Sequence, residues 1–305
     1  MPIVRCNYDL LAIDLDGTLL GSDHAISPAN AAAVRAAKDA GLRVCVCTGR
    51  GYNECKQYIR KIGQTDPVIV AGGAIVADAG SGRTLHRFTM NRGLVGRLVD
   101  MLVSHGHAAL ILKDPTATRE SGIEPGHDYV IVSPTGEEAI DPVSRWWFQH
   151  HDIRCCIVPD LGHDRHPEHT VRVGVCGTKR ETDAAARELR ESFGHEVSLH
   201  HFGAVAPAAG SDDPNDQIVI LEAFDKAVNK WTAIQWLAKR EGIDPARVAT
   251  IGNDINDVVM LDRAGLGVAM GNAIPECLAV ADRTTRGHVE DGVAHAIERI
   301  LAGEW

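Results

Sequence analysis

The chain has 305 residues, with 31 Lys or Arg against 41 Asp or Glu and a formal net charge of −10. That length exceeds what one compact core usually holds, so two domains are expected. The acidic balance argues against a nucleic-acid or anionic-membrane surface, and no apolar run of about 18 residues exists to span a bilayer. Residues Met1 to Asp9 lack the apolar segment of a secretory leader, so a cytoplasmic protein is expected. The eight cysteines contain no Cys-x-x-Cys pair and read as buried reduced thiols rather than a disulfide framework.

The first informative stretch is Leu10-Leu11-Ala12-Ile13-Asp14-Leu15-Asp16-Gly17-Thr18. Four apolar residues in a row predict a strand buried on both faces, as in a parallel sheet. Asp14 and Asp16 then fall at its carboxyl end, where open α/β sheets place their chemistry. Gly17 allows the backbone a sharp turn just after them. Two carboxylates at ~4 Å and an effective dielectric of ~20 repel by on the order of 4 kcal/mol. A cation or a shared proton offsets such a pair; an ordinary Asp-Gly turn is the plain alternative.

Ser27-Pro28 opens a helix that runs to Gly41, with Ser as N-cap and Pro at the first helical position. Leu42–Cys47 is the next strand, ending in Thr48-Gly49-Arg50 before a helix to about Ile62. A hydroxyl, a glycine and a helix amino terminus suit a phosphoryl group; Thr48 also suits a plain helix cap. Pro67–Val70 is a third strand, followed by a hairpin around Asp78–Gly82. Strands and helices alternating at this spacing predict a doubly wound, Rossmann-like parallel sheet.

From about Thr89 the texture becomes that of an inserted α+β domain, with a helix near Leu94–His105 and strands near Ala108–Leu112, Tyr129–Val132, Val171–Val175, Glu196–Leu199 and Gln217–Leu221. Helices are expected near Glu138–His150 and Glu181–Ser192. His163, His166 and His169 stand at His-x-x-His spacing beside Pro and Asp and read as a solvated loop rather than a metal site. The predicted division is 1–86 with 225–305 for the core, and 87–224 for the insert.

The core pattern returns with a helix from Asn229 to Gly242. Lys230 sits at its amino end, where the helix dipole offers a cation nothing. By position alone it reads as a chance surface residue. Val248–Ile251 is another strand, running into Gly252-Asn253-Asp254-Ile255-Asn256-Asp257, a second set of oxygen ligands at a strand's carboxyl end. Gly265–Ala273 reads as a further strand and turn, and Glu290–Leu301 as a closing helix.

Asp14-Leu15-Asp16-Gly17-Thr18, Thr48-Gly49-Arg50, Lys230 and Gly252–Asp257, in this order around an insert, resemble the haloacid dehalogenase superfamily, most closely its Cof-like sugar-phosphatase branch. The resemblance covers about residues 9–75 and 226–300. It implies a Mg²⁺-dependent phosphatase of small phosphorylated metabolites, with a haloacid dehalogenase-like core and an inserted α/β cap that reads the leaving group. It further implies that Asp14 is the nucleophile and Asp16 the acid and base, with Thr48 and Lys230 completing the catalytic set. Leu15, Thr48, Gly49, Arg50 and Lys230 would hold the phosphoryl group; Asp14, Asp16, Asn253, Asp254 and Asp257 are the metal-ligand candidates.

Two positions depart from the pattern. Asn253 stands where the family's metal-binding aspartate would be, and Trp231 replaces the glycine after the lysine. A phosphomutase with the same core, or a weakly active sensor of a phosphometabolite, are the rival readings. The expected partner is a small phosphoester; nothing marks an oligomer surface.

Overall fold

A computed structural model describes residues 6–114, 126–203 and 217–305; residues 1–5, read above for a leader, lie outside them. The chain divides into two compact units, Met1–Leu85 with Asn229–Trp305, and His86–Val228.

The first unit starts on β1 (Leu10–Asp14), whose five residues are all buried. α1 (Pro28–Asp39) begins as its sequence dictates: the Ser27 hydroxyl accepts from the Asn30 amide, and Pro28 occupies the first turn. β2 (Arg43–Cys47) and α2 (Tyr52–Lys61) follow, then β3 (Val68–Val70), β4 (Ile75–Ala77) and β5 (Thr84–Arg87). The chain leaves the first unit within β5.

The second unit contains α3 (Arg92–Ser104), β6 (Ala109–Lys113), β7 (Tyr129–Val132), α4 (Pro142–His150), β8 (Cys155–Val158), β9 (Thr170–Thr178), α5 (Lys179–Phe193), β10 (Val197–Gly203) and β11 (Ile218–Asp225). Its sheet has the order β10-β11-β9-β6-β7-β8. All neighbours are antiparallel except β7 and β8. Period-two alternation sends Ile111, Val130, Val173 and Leu221 to one face, where they pack with Leu98 and Leu102 of α3 and Leu189 of α5. The adjacent Cys155 and Cys156 open β8, a strand the sequence pattern missed because four residues carry too little alternation to register.

The chain returns with α6 (Lys230–Glu241), β12 (Val248–Gly252), α7 (Val258–Arg263), β13 (Leu266–Ala269), α8 (Pro275–Val280), β14 (Arg283–Thr284) and α9 (Gly292–Leu301). The first unit's sheet runs β14-β13-β12-β1-β2-β3-β4-β5. It is parallel from β14 to β3, and β4 is antiparallel to β3. β1 lies centrally, with Ile13 opposite Ile251 of β12 and Asp14 opposite Cys47 of β2. Burial on both sheet faces explains why Leu10, Leu11, Ala12 and Ile13 form an unbroken apolar run. The observed α/β architecture is thus the doubly wound sheet with an α+β insert that the residue pattern predicts.

All eight cysteines are free; Cys45, Cys47, Cys55 and Cys277 are buried, whereas Cys6, Cys155, Cys156 and Cys176 are partly exposed. No helix among the described residues is long and apolar enough to cross a membrane.

The second unit carries a built-in acid sensitivity. Burial holds His86, His107 and His201 below the ordinary histidine value of 6.5. Such a group binds fewer protons folded than unfolded. Its contribution is intact above the unfolded value and is lost as pH falls through that value toward the lower folded one. We therefore expect the unfolding midpoint to drop between about pH 7.5 and 5.5, and His107→Gln to flatten the drop. A midpoint unchanged over that range would contradict this reading.

Candidate active site

The carboxyl ends of three adjacent strands, β2, β1 and β12, place the acidic and hydroxyl motifs side by side. At the end of β1 the backbone leaves the strand through Asp16 (φ −81, ψ 122) and Gly17 (φ 72, ψ 7). The positive φ of Gly17 is the reason for glycine there. A Cβ at that position would also approach the Asn253 amide to 2.5 Å.

Lys230 opens α6 but does not reach solvent; it is 1 % exposed. Its ammonium donates to Asp14 Oδ1 at 2.6 Å, Asp257 Oδ1 at 2.6 Å and Asn256 Oδ1 at 3.1 Å. The surface reading made from position alone is therefore corrected. Three oxygens in a buried site outweigh the unfavourable end of the helix dipole. Burial works against the lysine's charge, but Asp14 and Asp257 more than reverse this and raise its pKa. Burial, and then the charge of Asp257, push the Asp14 carboxyl up to about 8, against the opposing pull of Lys230.

Gly73 sets the seat of this lysine, a role with no signal in the sequence. It has φ +107, and a Cβ on it would stand 2.2 Å from the Asn229 carbonyl oxygen and 2.8 Å from the Lys230 nitrogen. The turn after β3 packs directly on the first turn of α6. Gly73→Ala combines a strained backbone with a clash against main chain. It should destabilise the protein by on the order of 3 kcal/mol and lower turnover with it. An unchanged denaturant midpoint for this variant would contradict the assignment.

Asp16 divides its two ends. Its carboxylate forms a fork with Arg50, Nε to Oδ2 at 2.9 Å and Nη2 to Oδ1 at 2.6 Å. Arg50 is mostly buried and lies over the Tyr58 ring at 5.4 Å. The resemblance placed Arg50 among the groups holding the phosphoryl oxygens; here its planar fork matches the Asp16 carboxylate. The Asp16 main-chain oxygen faces elsewhere. One atom of the Asn253 amide lies 3.0 Å from it, 3.1 Å from Asp14 Oδ2 and 2.9 Å from Thr18 Oγ1. With its nitrogen turned inward the amide has all three oxygens within reach of its two protons. With its oxygen inward it joins Asp14 Oδ2 and the Asp16 carbonyl in a trio of oxygens.

Asp254 and Asp257, the other ligand candidates, stand outside that trio. The Asp254 carboxylate is exposed and accepts from the Ile255 amide at 2.7 Å. Asp257 is fully buried, and its Oδ2 accepts from the amides of Asn253 and Asp254 at 2.9 and 3.1 Å. It orients Lys230 with one oxygen and folds the β12 loop with the other.

Thr48 is fully buried, and its hydroxyl oxygen accepts from the Arg50 amide at 3.1 Å, which leaves its proton to be given away. Its main chain is locked to the neighbouring strand end: Thr48 N donates to Ile69 O, and Gly72 N donates to Thr48 O. Leu15 is buried in the turn after β1, and Gly49 follows Thr48 directly. Trp231 is buried with Ile234 and Leu237 on the core side of α6.

Sequence reasoning missed Asn256, Thr18, Asn272 and Gly73. Asn256 lies inside the acidic motif, and its place between two candidate ligands was the available signal. Asn272 donates to the Gly17 carbonyl at 2.9 Å from a distant turn, which no local pattern shows.

The sequence model for haloacid dehalogenase-like hydrolases matches residues 11–297. A relative in Bacillus subtilis (strain 168), the 5-amino-6-(5-phospho-D-ribitylamino)uracil phosphatase YitU, is 28% identical over 311 residues, covering 96% of this chain and 97% of its own. Phosphatase YwpJ of the same organism is 27% identical, covering 96% and 99%. A crystal structure of a haloacid dehalogenase-like hydrolase from Bacteroides thetaiotaomicron shares the fold, with TM-score 0.73 and 22% identity over 96% of this chain and 99% of that one.

Proposed function

The chain belongs to the haloacid dehalogenase-like hydrolase family and is a phosphatase of it, and from that premise we propose a Mg²⁺-dependent enzyme that hydrolyses small phosphorylated metabolites, sugar phosphates foremost, through Asp14. The observation that carries this reading is the pairing of Asp14 with the buried Lys230, with Asp14 Oδ2 and the Asp16 carbonyl side by side at the Asn253 amide. A carboxylate held at a strand end attacks the phosphorus and forms an aspartyl-phosphate. Asp16 protonates the departing oxygen, then takes a proton from the water that cleaves the acyl-phosphate. For either step it must leave the fork of Arg50, which otherwise occupies both its oxygens. Thr48 and Lys230 donate to the phosphoryl oxygens, and Lys230 holds Asp14 in line. The resemblance assigns choice of leaving group to the inserted unit.

The donor set fits Mg²⁺. An ion with bonds of about 2.0–2.1 Å in octahedral geometry separates adjacent ligands by about 2.9 Å. The Asn253 amide atom stands 3.0 and 3.1 Å from its two neighbours in the trio. Asp14, the Asp16 carbonyl and Asn253 would hold the ion, which supplies positive charge against the incoming phosphate. Asp254, which caps its own turn, and Asp257, which serves Lys230, are left out of this ligand set.

Charge arithmetic gives Asn253 a purpose. With all groups ionised, Asp14, Asp16 and Asp257 against Lys230 and Arg50 leave −1, and a divalent ion makes the site +1. An aspartate at 253 would make it neutral. We expect Asn253→Asp to bind Mg²⁺ about tenfold more tightly and to bind inorganic phosphate more weakly. Mg²⁺ titration and product inhibition measure both; weaker Mg²⁺ binding in this variant would contradict the ligand assignment.

The proposal is tested with a panel of sugar and nucleotide monophosphates in Mg²⁺ or EDTA. Metal-dependent release of phosphate supports it, and the best substrate defines the leaving group. An isomeric phosphate ester in place of free phosphate would favour the mutase. Stabilisation by a ligand without turnover would favour the sensor.

A further inference from the structure

A second group of ligating side chains lies wholly within the His86–Val228 unit, on the segment between β8 and β9. It includes two of the three histidines whose spacing read as a solvated loop. His166 and His169 bracket a single 3-10 turn, Pro167–His169. Their rings stack with centroids 5.2 Å apart and planes 5° from parallel. Glu168 Oε1 lies 3.3 Å from His166 Nδ1 and 3.5 Å from His169 Nε2. The three ligand atoms all fall within 4.8 Å of one another.

Those separations are the relevant fact. A tetrahedral Zn²⁺ with bonds of about 2.0–2.2 Å sets neighbouring ligand atoms about 3.3–3.6 Å apart. Two of the three edges already have that length. The third, between the ring nitrogens, is within 4.8 Å, and because the rings lie nearly parallel one imidazole must turn out of the stack for both lone pairs to meet one ion. The other oxygen of Glu168 is 3.2 Å from Arg92, which leaves Oε1 to the rings.

The backbone beneath the cluster is fixed by a buried cation. Lys113, 4 % exposed, pairs with Asp164 and donates to the His166 carbonyl at 3.0 Å and to Thr170 Oγ1 at 2.8 Å. Asp164 in turn accepts from the His166 amide at 3.1 Å. The turn is therefore held on both sides, so a metal would meet ligands already ordered.

We propose that His166, Glu168 and His169 form a Zn²⁺ site of the second unit, with water in the fourth position, that clamps the segment between β8 and β9. Two imidazoles and one carboxylate select Zn²⁺ over Mg²⁺, which takes oxygen ligands. The site is chemically distinct from the oxygen trio at Asp14, and its existence does not depend on the phosphatase reading.

The test is calorimetric titration of the full, tag-free chain with Zn²⁺ in saturating Mg²⁺, paired with visible absorption on Co²⁺ loading. The expected result is one Zn²⁺ per chain, a tetrahedral Co²⁺ band and a raised unfolding midpoint. His166 and Glu168 have side chains 31 % and 44 % exposed, so His166→Ala and Glu168→Gln should keep the fold by circular dichroism. Each should weaken Zn²⁺ binding by more than roughly 100-fold, beyond the cost of losing an outer hydrogen-bond partner. Absence of saturable Zn²⁺ binding in Mg²⁺, or equal binding by wild type and both variants, would overturn the proposal.

Discussion

Lys230→Met is expected to cost the protein both stability and turnover. The ammonium holds Asp14 and Asp257 at 2.6 Å each, and all three side chains are buried. Methionine matches the stem and removes the charge, leaving two carboxylates in a dry site without that partner. Removing one member of a buried pair costs about 3–5 kcal/mol. Turnover should fall by on the order of 10²–10³ or more, the usual cost of losing one fixed electrostatic donor at a reacting centre. Denaturant melts and phosphate release measure the two losses separately. A variant as stable as wild type and more than half as active would remove Lys230 from the account.

Asp14→Asn should split those two effects. The amide keeps the shape of the carboxylate and can still accept from Lys230. It also relieves a conflict, because Asp14 and Asp257 share one ammonium. Burial and the Asp257 charge push the Asp14 carboxyl up to about 8, so the folded protein resists its ionisation. The variant should therefore melt no earlier than wild type in metal-free buffer. Its turnover should nevertheless fall at least about 10⁴-fold, since loss of a covalent nucleophile is not made good by binding alone. A group that stability disfavours and chemistry requires belongs to a reaction site. Loss of activity with equal loss of stability would make Asp14 merely structural.

Much of the core was legible because its signals are local. An apolar run ending in Asp14-Leu15-Asp16-Gly17 states burial, strand and turn within eight residues. Ser27-Pro28 states a helix start through its own side chain and caps as expected. The helix expected from Asn229 does start there, with the Asn229 side chain as its cap. The motif order then brought together pieces that lie far apart in sequence. The Lys230–Asp14 contact spans 216 positions, and only the ordered set of motifs anticipates it.

What sequence missed was set by packing between elements. Lys230 alone read as a surface residue, since its position on a helix says nothing about three oxygens arriving from two other strand ends. Gly73 showed no sign of supporting α6. Arg50 read as a phosphoryl ligand, and its fork with Asp16 emerges only from the geometry across β1 and β2. The histidines of the segment between β8 and β9 stand beside Pro and Asp and so read as no more than a loop. Their spacing gained meaning once both rings were found stacked beside one carboxylate oxygen.

The central claim is that phosphate passes through Asp14. The most direct measurement is rapid acid quench of enzyme turning over its best phosphate ester in Mg²⁺, followed by mass spectrometry of the peptide that contains Asp14. The account predicts a hydroxylamine-sensitive phosphoryl group on Asp14 in wild type, more abundant in Asp16→Asn, and absent in Asp14→Asn. Phosphate release with no acyl-phosphate on that peptide, surviving unchanged in Asp14→Asn, would contradict it.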